Sequence, residues 1–235
     1  MAAVSGDARV ADLVLERPSR SRVLERFGID YCCGGKKALA AACADRGVDL
    51  DEVTLALDDP GPAEADDVDW RGRPVSELCD HIVNHHHAYL RGELPPMRLL
   101  VDKVSAAHGG THPELLDVCA TFAALADELE QHMVKEEQVL FPACVALEDG
   151  NEAGFAFGSV KNPIGVMLHE HDEVAAGLVE LRALTHGYEV PGDACASYRS
   201  MLDRLHTLEV DTHRHVHEEN NVLFPRAIEL EADRR

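Results

Sequence analysis

The spacing of apolar residues along most of this chain is that of helices rather than strands. After residue 72, apolar side chains recur every three or four positions in long stretches joined by short connections. These stretches predict helices over residues 75–107, 113–147, 163–185 and 192–231. Pro95 and Pro96 are expected to disturb the first helix, and Pro142 and Pro225 to kink or end theirs. The predicted fold is all-α, an antiparallel four-helix bundle.

A smaller helical unit precedes the bundle. Apolar spacing from Leu13 to Phe27 stops at Gly28, a second helix is predicted over residues 36–46, and a third begins near Asp49. An acidic stretch rich in proline and glycine follows, as is typical of a linker. The predicted organisation is a small helical cysteine domain (1–59), a linker (60–72) and the four-helix bundle (73–235).

One motif occurs twice in the predicted bundle. His132 precedes Glu136 by four residues, His215 precedes Glu219 by four, and Leu-Phe-Pro follows at the same offset in both copies. Residues four apart lie on one face of a helix, so each copy directs an imidazole and a carboxylate to the same point. Two such helices facing each other form a typical metal site of helix bundles. The repeat therefore predicts a di-iron carboxylate centre.

The other two helices should each add one ligand. His132 lies 45 residues after His87, and His215 lies 44 residues after His171, as two copies of one helical hairpin would require. The apolar stripe of the first helix passes through His86 instead, so helical periodicity favours His86 where the repeat spacing favours His87. We predict His87, because a helix disturbed near this point would reconcile the two.

For the remaining histidines and for two glutamates, ordinary structural roles are the favoured interpretation. On helix faces, exposed or paired histidines are expected at His81, His85, His206, His213 and His217. His108 and His112 flank a Gly-Gly turn and are expected to belong to loop structure rather than to contact the site. Glu128 and Glu170 could support the ligands or carry protons, but solvent-exposed carboxylates are the favoured interpretation.

Adjacent cysteines provide a second candidate for chemistry. Cys32 and Cys33 precede the predicted second helix, whose N-terminus, together with Lys36 and Lys37, is expected to favour the thiolate. Such a pair could bind a soft metal, receive iron or cycle between dithiol and disulfide; a buried structural pair is the alternative. The other cysteines are expected to be small core residues: Cys43, Cys79, Cys119, Cys144 and Cys195.

Charge and composition exclude several classes of function. The chain carries 22 basic and 43 acidic side chains, a net charge of −21, which argues against nucleic acid and against membranes as partners. No apolar run approaches the ~20 residues that span a bilayer, and the N-terminus lacks a secretion signal. Seven scattered cysteines do not form a disulfide framework. A cytoplasmic location is expected, where thiols stay reduced.

With these residues placed, the chain resembles the repair-of-iron-centres family of di-iron iron–sulfur cluster repair proteins. The cysteine segment around Cys32 and Cys33 is similar to that family's N-terminal signature, and the duplicated motif to its hemerythrin-like domain. The resemblance implies two non-haem iron ions with an oxo or hydroxo bridge. It implies the ligands His87, His132, His171 and His215, with Glu136 and Glu219 bridging, and it gives Cys32 and Cys33 a role in iron transfer or redox.

The resemblance also implies a function, the repair of iron–sulfur clusters damaged by nitric oxide or oxidative stress. The leading hypothesis is donation of iron to damaged or apo iron–sulfur proteins. The alternative is a non-haem di-iron oxidoreductase acting on nitric oxide, nitrite or peroxide. A third possibility, a gas-binding sensor or store, would leave the two cysteines without a role. A homodimer through the cysteine domain is compatible with the sequence, although nothing in it requires one.

Overall fold

The computed structural model describes residues 4–63, 67–151 and 155–233. These residues group into two compact units. The N-terminal unit comprises Met1–Pro74 with His213–Arg226, and the bundle unit comprises Val75–Thr212 with Ala227–Arg235. Helices account for the regular structure in the described ranges, where the one pairing of extended backbone is an isolated bridge between Arg9 and Ala38. The predicted all-α fold is confirmed.

The N-terminal unit contains four short helices and a buried apolar cluster. They are α1 (Val10–Glu16), α2 (Ser21–Phe27), α3 (Leu39–Arg46) and α4 (Leu50–Asp58), with a 3-10 turn at Pro18–Arg20. Gly28 and Gly47 end α2 and α3 with φ of 65° and 67°, a left-handed backbone that glycine adopts without strain. The prediction of a helix from residue 36 is wrong at its start, because α3 begins only at Leu39.

Part of the predicted linker is attached to this unit. Arg22 donates to the Asp67 carboxylate at 3.0 Å and to the Pro62 carbonyl at 2.8 Å. Arg17 donates to the Gly61 carbonyl at 3.3 Å. Among the described residues of this stretch, Trp70 is also buried. These contacts hold the segment against the first two helices rather than leaving it a free tether.

Seven further helices follow the N-terminal unit. They are α5 (Val75–Ile82), α6 (Ala88–His108), α7 (Glu114–Lys135), α8 (Phe141–Asp149), α9 (Lys161–Leu184), α10 (Ala196–Glu218) and α11 (Phe224–Ala232). Within the bundle unit, side chains from α6, α7, α9 and α10 form one apolar core that includes Leu94, Phe122, Leu178 and Met201. Burying a side chain of this size contributes roughly 1.5–3 kcal/mol. This core positions the helices that carry the candidate ligands.

Three π-helical turns join helices end to end, at Val83–His87, Glu136–Leu140 and Glu219–Leu223. In the last two, the N–H of Phe141 or Phe224 donates to the carbonyl five residues earlier. Pro142 and Pro225 directly follow these phenylalanines. A proline ring clashes with the carbonyl four residues earlier in an α-helix, and the wider turn relieves that clash. The helices therefore continue past both prolines.

The first π turn lies where the choice of His87 over His86 predicts a disturbed helix. The α-helix continues through Pro95 and Pro96, so the prediction of a disturbance at these two residues is wrong. The irregular turn instead includes His85, His86 and His87. A histidine-rich run therefore sits on the widened part of the helix.

Two equivalent glutamates fix the starts of two helices in the bundle unit. Glu148 accepts hydrogen bonds from the backbone N–H groups of Val75 and Ser76 at 2.6 and 2.9 Å. Glu231 accepts from the N–H of Val160 at 2.9 Å. Glu148 follows Glu136 by twelve residues, and Glu231 follows Glu219 by twelve. The duplication seen in the motif thus extends to how each hairpin caps its first helix.

Candidate metal centre

The first copy of the motif brings its imidazole and carboxylate together at the end of α7. His132 and Glu136 are both buried, and His132 Nε2 lies 3.2 Å from Glu136 Oε1. The spacing of four residues places both side chains on one face of the helix, as the sequence predicts. A buried carboxylate beside a buried imidazole is costly unless the pair binds something or each other.

The two predicted partner histidines of the bundle unit meet this pair. His87 Nε2 lies 3.3 Å from Glu136 Oε2, and His171 Nε2 lies 3.0 Å from His132 Nε2. One ligand atom from each of His132, Glu136 and His171 lies within 4.8 Å of the others. Both His87 and His171 are buried. Four of the six predicted ligands therefore converge within one unit.

The π turn explains why periodicity and repeat spacing favoured different histidines. Both His86 and His87 are buried, but they contact different partners. His87 lies against Glu136, whereas His86 Nδ1 lies 2.9 Å from Asp211 Oδ1 on α10. A regular helix would have kept only one of them on the buried face. The widened turn buries both.

The second copy repeats the geometry of the first. His215 Nε2 lies 3.2 Å from Glu219 Oε1, the same separation as in the first copy, and both residues are buried. This pair belongs to the stretch His213–Arg226 of the N-terminal unit. Within each copy, one imidazole nitrogen and one carboxylate oxygen are thus directed to a common point.

Two carboxylates hold the imidazoles that meet at the first copy. Glu137 accepts from His87 Nδ1 at 2.6 Å and from Arg91 at 2.7 Å. Burial alone would raise the pKa of Glu137, but the hydrogen bonds from His87 and Arg91 lower it. A carboxylate on Nδ1 leaves Nε2 as the lone-pair donor and fixes the ring, as in many metal sites. The position of Glu137 directly after a ligand could have indicated this role.

Glu170 plays the same part for the other imidazole. It is buried, accepts from His132 Nδ1 at 2.9 Å and forms an ion pair with Lys135. Burial acts to raise its pKa, and the bonds from Lys135 and His132 lower it. The favoured interpretation of Glu170 as a solvent-exposed carboxylate is therefore wrong. Glu128 is only partly buried.

The cysteine pair lies in a loop before α3, not at a helix start. The Asp30 carboxylate accepts the backbone N–H groups of Cys32 and Cys33 at 2.9 and 3.1 Å, which fixes the loop. The two sulfur atoms are 3.9 Å apart, too far for a disulfide. The hydrogen bond with Cys33, burial and the negative Asp30 raise the pKa of Cys32 well above its usual value. The expected thiolate character is therefore wrong for Cys32.

The cysteine loop packs on the helical stretch that carries the second copy. His217 Nδ1 lies 3.1 Å from the Tyr31 carbonyl, and the Asn221 amide donates to the Cys32 carbonyl at 3.3 Å. The Asn220 amide lies 3.9 Å from Cys33 Sγ. All these residues belong to the N-terminal unit. The paired cysteines and the pair His215–Glu219 are therefore parts of one compact body.

The expected structural roles hold for His213, His108 and His112 but not for Cys195. His213 pairs with Glu25 at 2.8 Å, and His108 and His112 lie in loop contacts, as expected. Cys195, predicted to be in the core, is exposed at the start of α10 and lies 3.2 Å from His108 Nε2. Hydrogen bonding from the Tyr198 N–H and then from His108 lowers the pKa of Cys195 to about 7.

The donor set fits iron. Neutral imidazole nitrogens and carboxylate oxygens suit first-row transition ions, and carboxylates can bridge two of them. In the residues described, each predicted ligand is buried and directs Nε2 or a carboxylate oxygen at another ligand. Iron bound there would supply redox chemistry or a transferable ion, while the protein side chains orient the ligands and exclude water.

Comparison with known proteins identifies the same two parts. Residues 80–227 match the hemerythrin HHE cation binding domain, and residues 6–60 match a domain of unknown function called ScdA_N. The chain is 35% identical over 224 residues to an iron–sulfur cluster repair protein, YtfE, of Escherichia coli, covering 94% of this chain and 97% of that protein.

Two further relatives agree. The YtfE protein of Pectobacterium carotovorum is 31% identical over 222 residues, covering 94% of this chain and 97% of its own. A probable iron–sulfur cluster repair protein of Haemophilus influenzae is 33% identical over 222 residues, covering 94% and 96%.

The fold and the sites define a hemerythrin-like, iron-binding helical protein. More narrowly, the chain belongs to the repair-of-iron-centres family of iron–sulfur cluster repair proteins. Among the described residues, no helix is both long enough and apolar enough to cross a membrane.

Proposed function

We propose that this protein holds two non-haem iron ions and donates iron to iron–sulfur proteins whose clusters nitric oxide or peroxide has damaged. The proposed ligands are His87, His132, His171 and His215, with Glu136 and Glu219 bridging the ions and an oxo or hydroxo group between them. The duplicated motif, the equal distances within its two copies and the family support this set. The proposal includes a cytoplasmic location, and nitric oxide and peroxide as small ligands.

One observation carries the choice of iron donation. The loop of Cys32 and Cys33 is hydrogen-bonded to the same helical stretch that bears His215 and Glu219. Two thiols in that position can bind an iron ion that leaves imidazole and carboxylate ligands. Donor and acceptor groups held in one body favour a transfer of ions between them.

The side chains suggest how iron would be held and released as cargo. Imidazole and carboxylate donors bind ferrous iron less tightly than a set of thiolates would. Cys33 is only partly buried, whereas Cys32 is buried and its thiol is kept protonated by its surroundings. We therefore assign first contact with departing iron to Cys33, with Cys32 becoming a ligand only as its proton is lost.

We assign different tasks to domains 1–59 and 73–235. The bundle stores iron, the cysteine domain receives it, and residues 60–72 connect them. The relatives named iron–sulfur cluster repair proteins share both parts over nearly their whole length, which supports a common task.

The test follows labelled iron. The full chain is loaded anaerobically with ⁵⁷Fe(II), mixed with an apo iron–sulfur protein and separated, and the label in the acceptor is measured. Cys32→Ser and Cys33→Ser should lower the transfer rate by tenfold or more while leaving the iron content unchanged. Cys195→Ser is the matched control, because that thiol lies outside the N-terminal unit.

Two results would count against donation. If iron remained on the wild-type protein in the presence of the acceptor, the proposal would fail. Consumption of nitric oxide, nitrite or peroxide over many turnovers with an electron donor would then support the di-iron oxidoreductase. Equal transfer by wild type and both serine variants would remove the cysteines from the mechanism.

A further inference from the structure

A second group of metal-binding side chains lies in the bundle unit beside the first π turn. It consists of His81, His85, His86 and Asp211, and we call it the His81 cluster. One ligand atom from each of His85, His86 and Asp211 lies within 4.8 Å of the others, and the same holds for His81 and His86. None of the four belongs to the proposed di-iron ligand set.

The rings of the cluster are in mutual contact. The His85 and His86 rings are 4.9 Å apart at 89°, and the His81 and His86 rings are 5.5 Å apart at 89°. The His81 and His85 rings stack at 5.1 Å. These contacts place His81 beside the group that His85, His86 and Asp211 form.

The π turn creates this arrangement. In the widened turn, residues four and five positions later fall on either side of the same line along the helix, so His85 and His86 both lie beside His81. His86 is buried, with Nδ1 at 2.9 Å from Asp211 Oδ1, whereas His85 is exposed. The cluster therefore extends from solvent to a buried, carboxylate-bonded imidazole.

The chemistry of the donors selects the ion. Two imidazoles with one carboxylate suit divalent first-row transition ions such as zinc and ferrous iron, and do not suit magnesium or calcium, which prefer oxygen donors.

We propose that His85, His86 and Asp211 form a separate site for one divalent transition-metal ion at the surface of the bundle unit, beside His81. The assignment does not depend on iron donation, since it rests on the geometry of these three side chains alone.

The experiment uses the iron-loaded full chain and zinc as the probe. Histidines are modified briefly with diethyl pyrocarbonate at increasing zinc concentration, and each modified peptide is measured by mass spectrometry. Zinc should reduce modification of His85 by at least fivefold in a saturable way. The exposed His206 provides an internal control and should be modified equally at all zinc concentrations. Iron content is measured in the same samples.

Asp211→Asn is the decisive variant, and Asp203→Asn is its control on the same helix. We expect Asp211→Asn to raise the zinc concentration for half-protection by roughly 10–100-fold. Asp203→Asn, which removes an exposed carboxylate outside the cluster, should leave it unchanged. The proposal is overturned if zinc does not protect His85, protects His206 equally, protects only while expelling iron, or protects Asp211→Asn as well as wild type.

Discussion

The two copies of the His-x-x-x-Glu motif share their internal geometry and differ in the side chains at the positions that follow. Nε2 and Oε1 are 3.2 Å apart in both. At the next position, the first copy has Glu137, which holds the imidazole of His87, and the second has Asn220, which contacts Cys33. One copy is surrounded by carboxylates that orient ligands, and the other by amides that hold the cysteine loop.

This difference indicates a division of labour after duplication. The carboxylates on His87 and His132 fix these rings and raise their basicity as ligands. The helical stretch of the second copy makes contacts with the cysteine loop. The first copy is therefore expected to determine how tightly iron binds, and the second how iron leaves.

The largest expected effect is the loss of iron when either bridging glutamate is changed. If only one of the two variants lost iron, the two copies would not be equivalent. Glu136→Gln and Glu219→Gln should each reduce iron from roughly two ions per chain to below one, because an amide bridges metals poorly. Elemental analysis of anaerobically loaded protein measures this. Glu128→Gln, on the same helix as His132, is the control and should retain iron. Full loading of either bridging variant would exclude that glutamate as a ligand.

The second effect tests the carboxylate support of the first copy. Glu170→Gln removes the carboxylate from His132 Nδ1 and should weaken iron binding by roughly 10–100-fold. Competition with a ferrous chelator measures the affinity. Glu173→Gln, an exposed change on the same helix, should leave it within twofold. If both variants bound iron alike, the contact between Glu170 and His132 would have no role in holding the ion.

The third effect concerns the thiols. Below its raised pKa, Cys32 stays protonated in the folded protein. Keeping this thiol protonated stabilises the fold, and the stabilisation is lost as the pH rises from the ordinary thiol pKa through the raised one. Cys195, with its pKa lowered to about 7, should react with iodoacetamide at half its maximal rate near pH 7. At pH 8 Cys195 should be labelled at least tenfold faster than Cys32, as measured by peptide mass spectrometry. Equal rates would mean that Cys32 is a thiolate.

A smaller effect tests what the amide side chains of the second copy contribute. Asn221→Ala removes the hydrogen bond to the Cys32 carbonyl, worth about 1 kcal/mol, and should raise alkylation of Cys32 by about fivefold. Iron content should not change. Gln138→Ala, at the equivalent position of the first copy, is exposed and should alter neither quantity. A loss of iron from Asn221→Ala would show that the loop contact supports binding rather than release.

The smallest effect should be the same in both copies. Glu148→Gln and Glu231→Gln each weaken the capping of a helix start, and each should lower the free energy of unfolding by about 1–2 kcal/mol. Urea titration followed by circular dichroism measures this. Glu229→Gln, exposed on α11, is the control. Unequal losses would show that the two hairpins depend on their caps to different extents.

Much of this molecule could be predicted from residue spacing. Apolar periodicity predicted the four long helical stretches, and the predicted ends differ from the observed ones by a few residues. The repeat predicted which imidazole and carboxylate would meet, because a four-residue offset is a property of the helix itself. Local rules sufficed wherever the partner lies on the same helix.

What could not be predicted depends on contacts between distant residues. Glu137 and Glu170 are on different helices from the imidazoles they hold, so their places next to Glu136 and His171 do not tell whether they face those rings or solvent. The pKa of Cys32 was mispredicted because sequence shows the neighbouring lysines but not burial or the fold of Asp30 over the loop. Cys195 was assigned to the core by its position among apolar residues, although the preceding turn exposes it.

The positions of the π turns also bear on how the two copies of the motif arose. Each represents one residue inserted into a helix, and the insertions at Glu136 and Glu219 occupy the same place in both copies. An insertion shared in this way is most simply inherited from an ancestral hairpin that already had it before the gene segment doubled. The turn at Val83–His87 has no counterpart in α9, which is α-helical from Lys161 to Leu184. Either this insertion arose after the doubling, or α9 lost it after the doubling. In both cases the His81 cluster belongs to only one of the two halves.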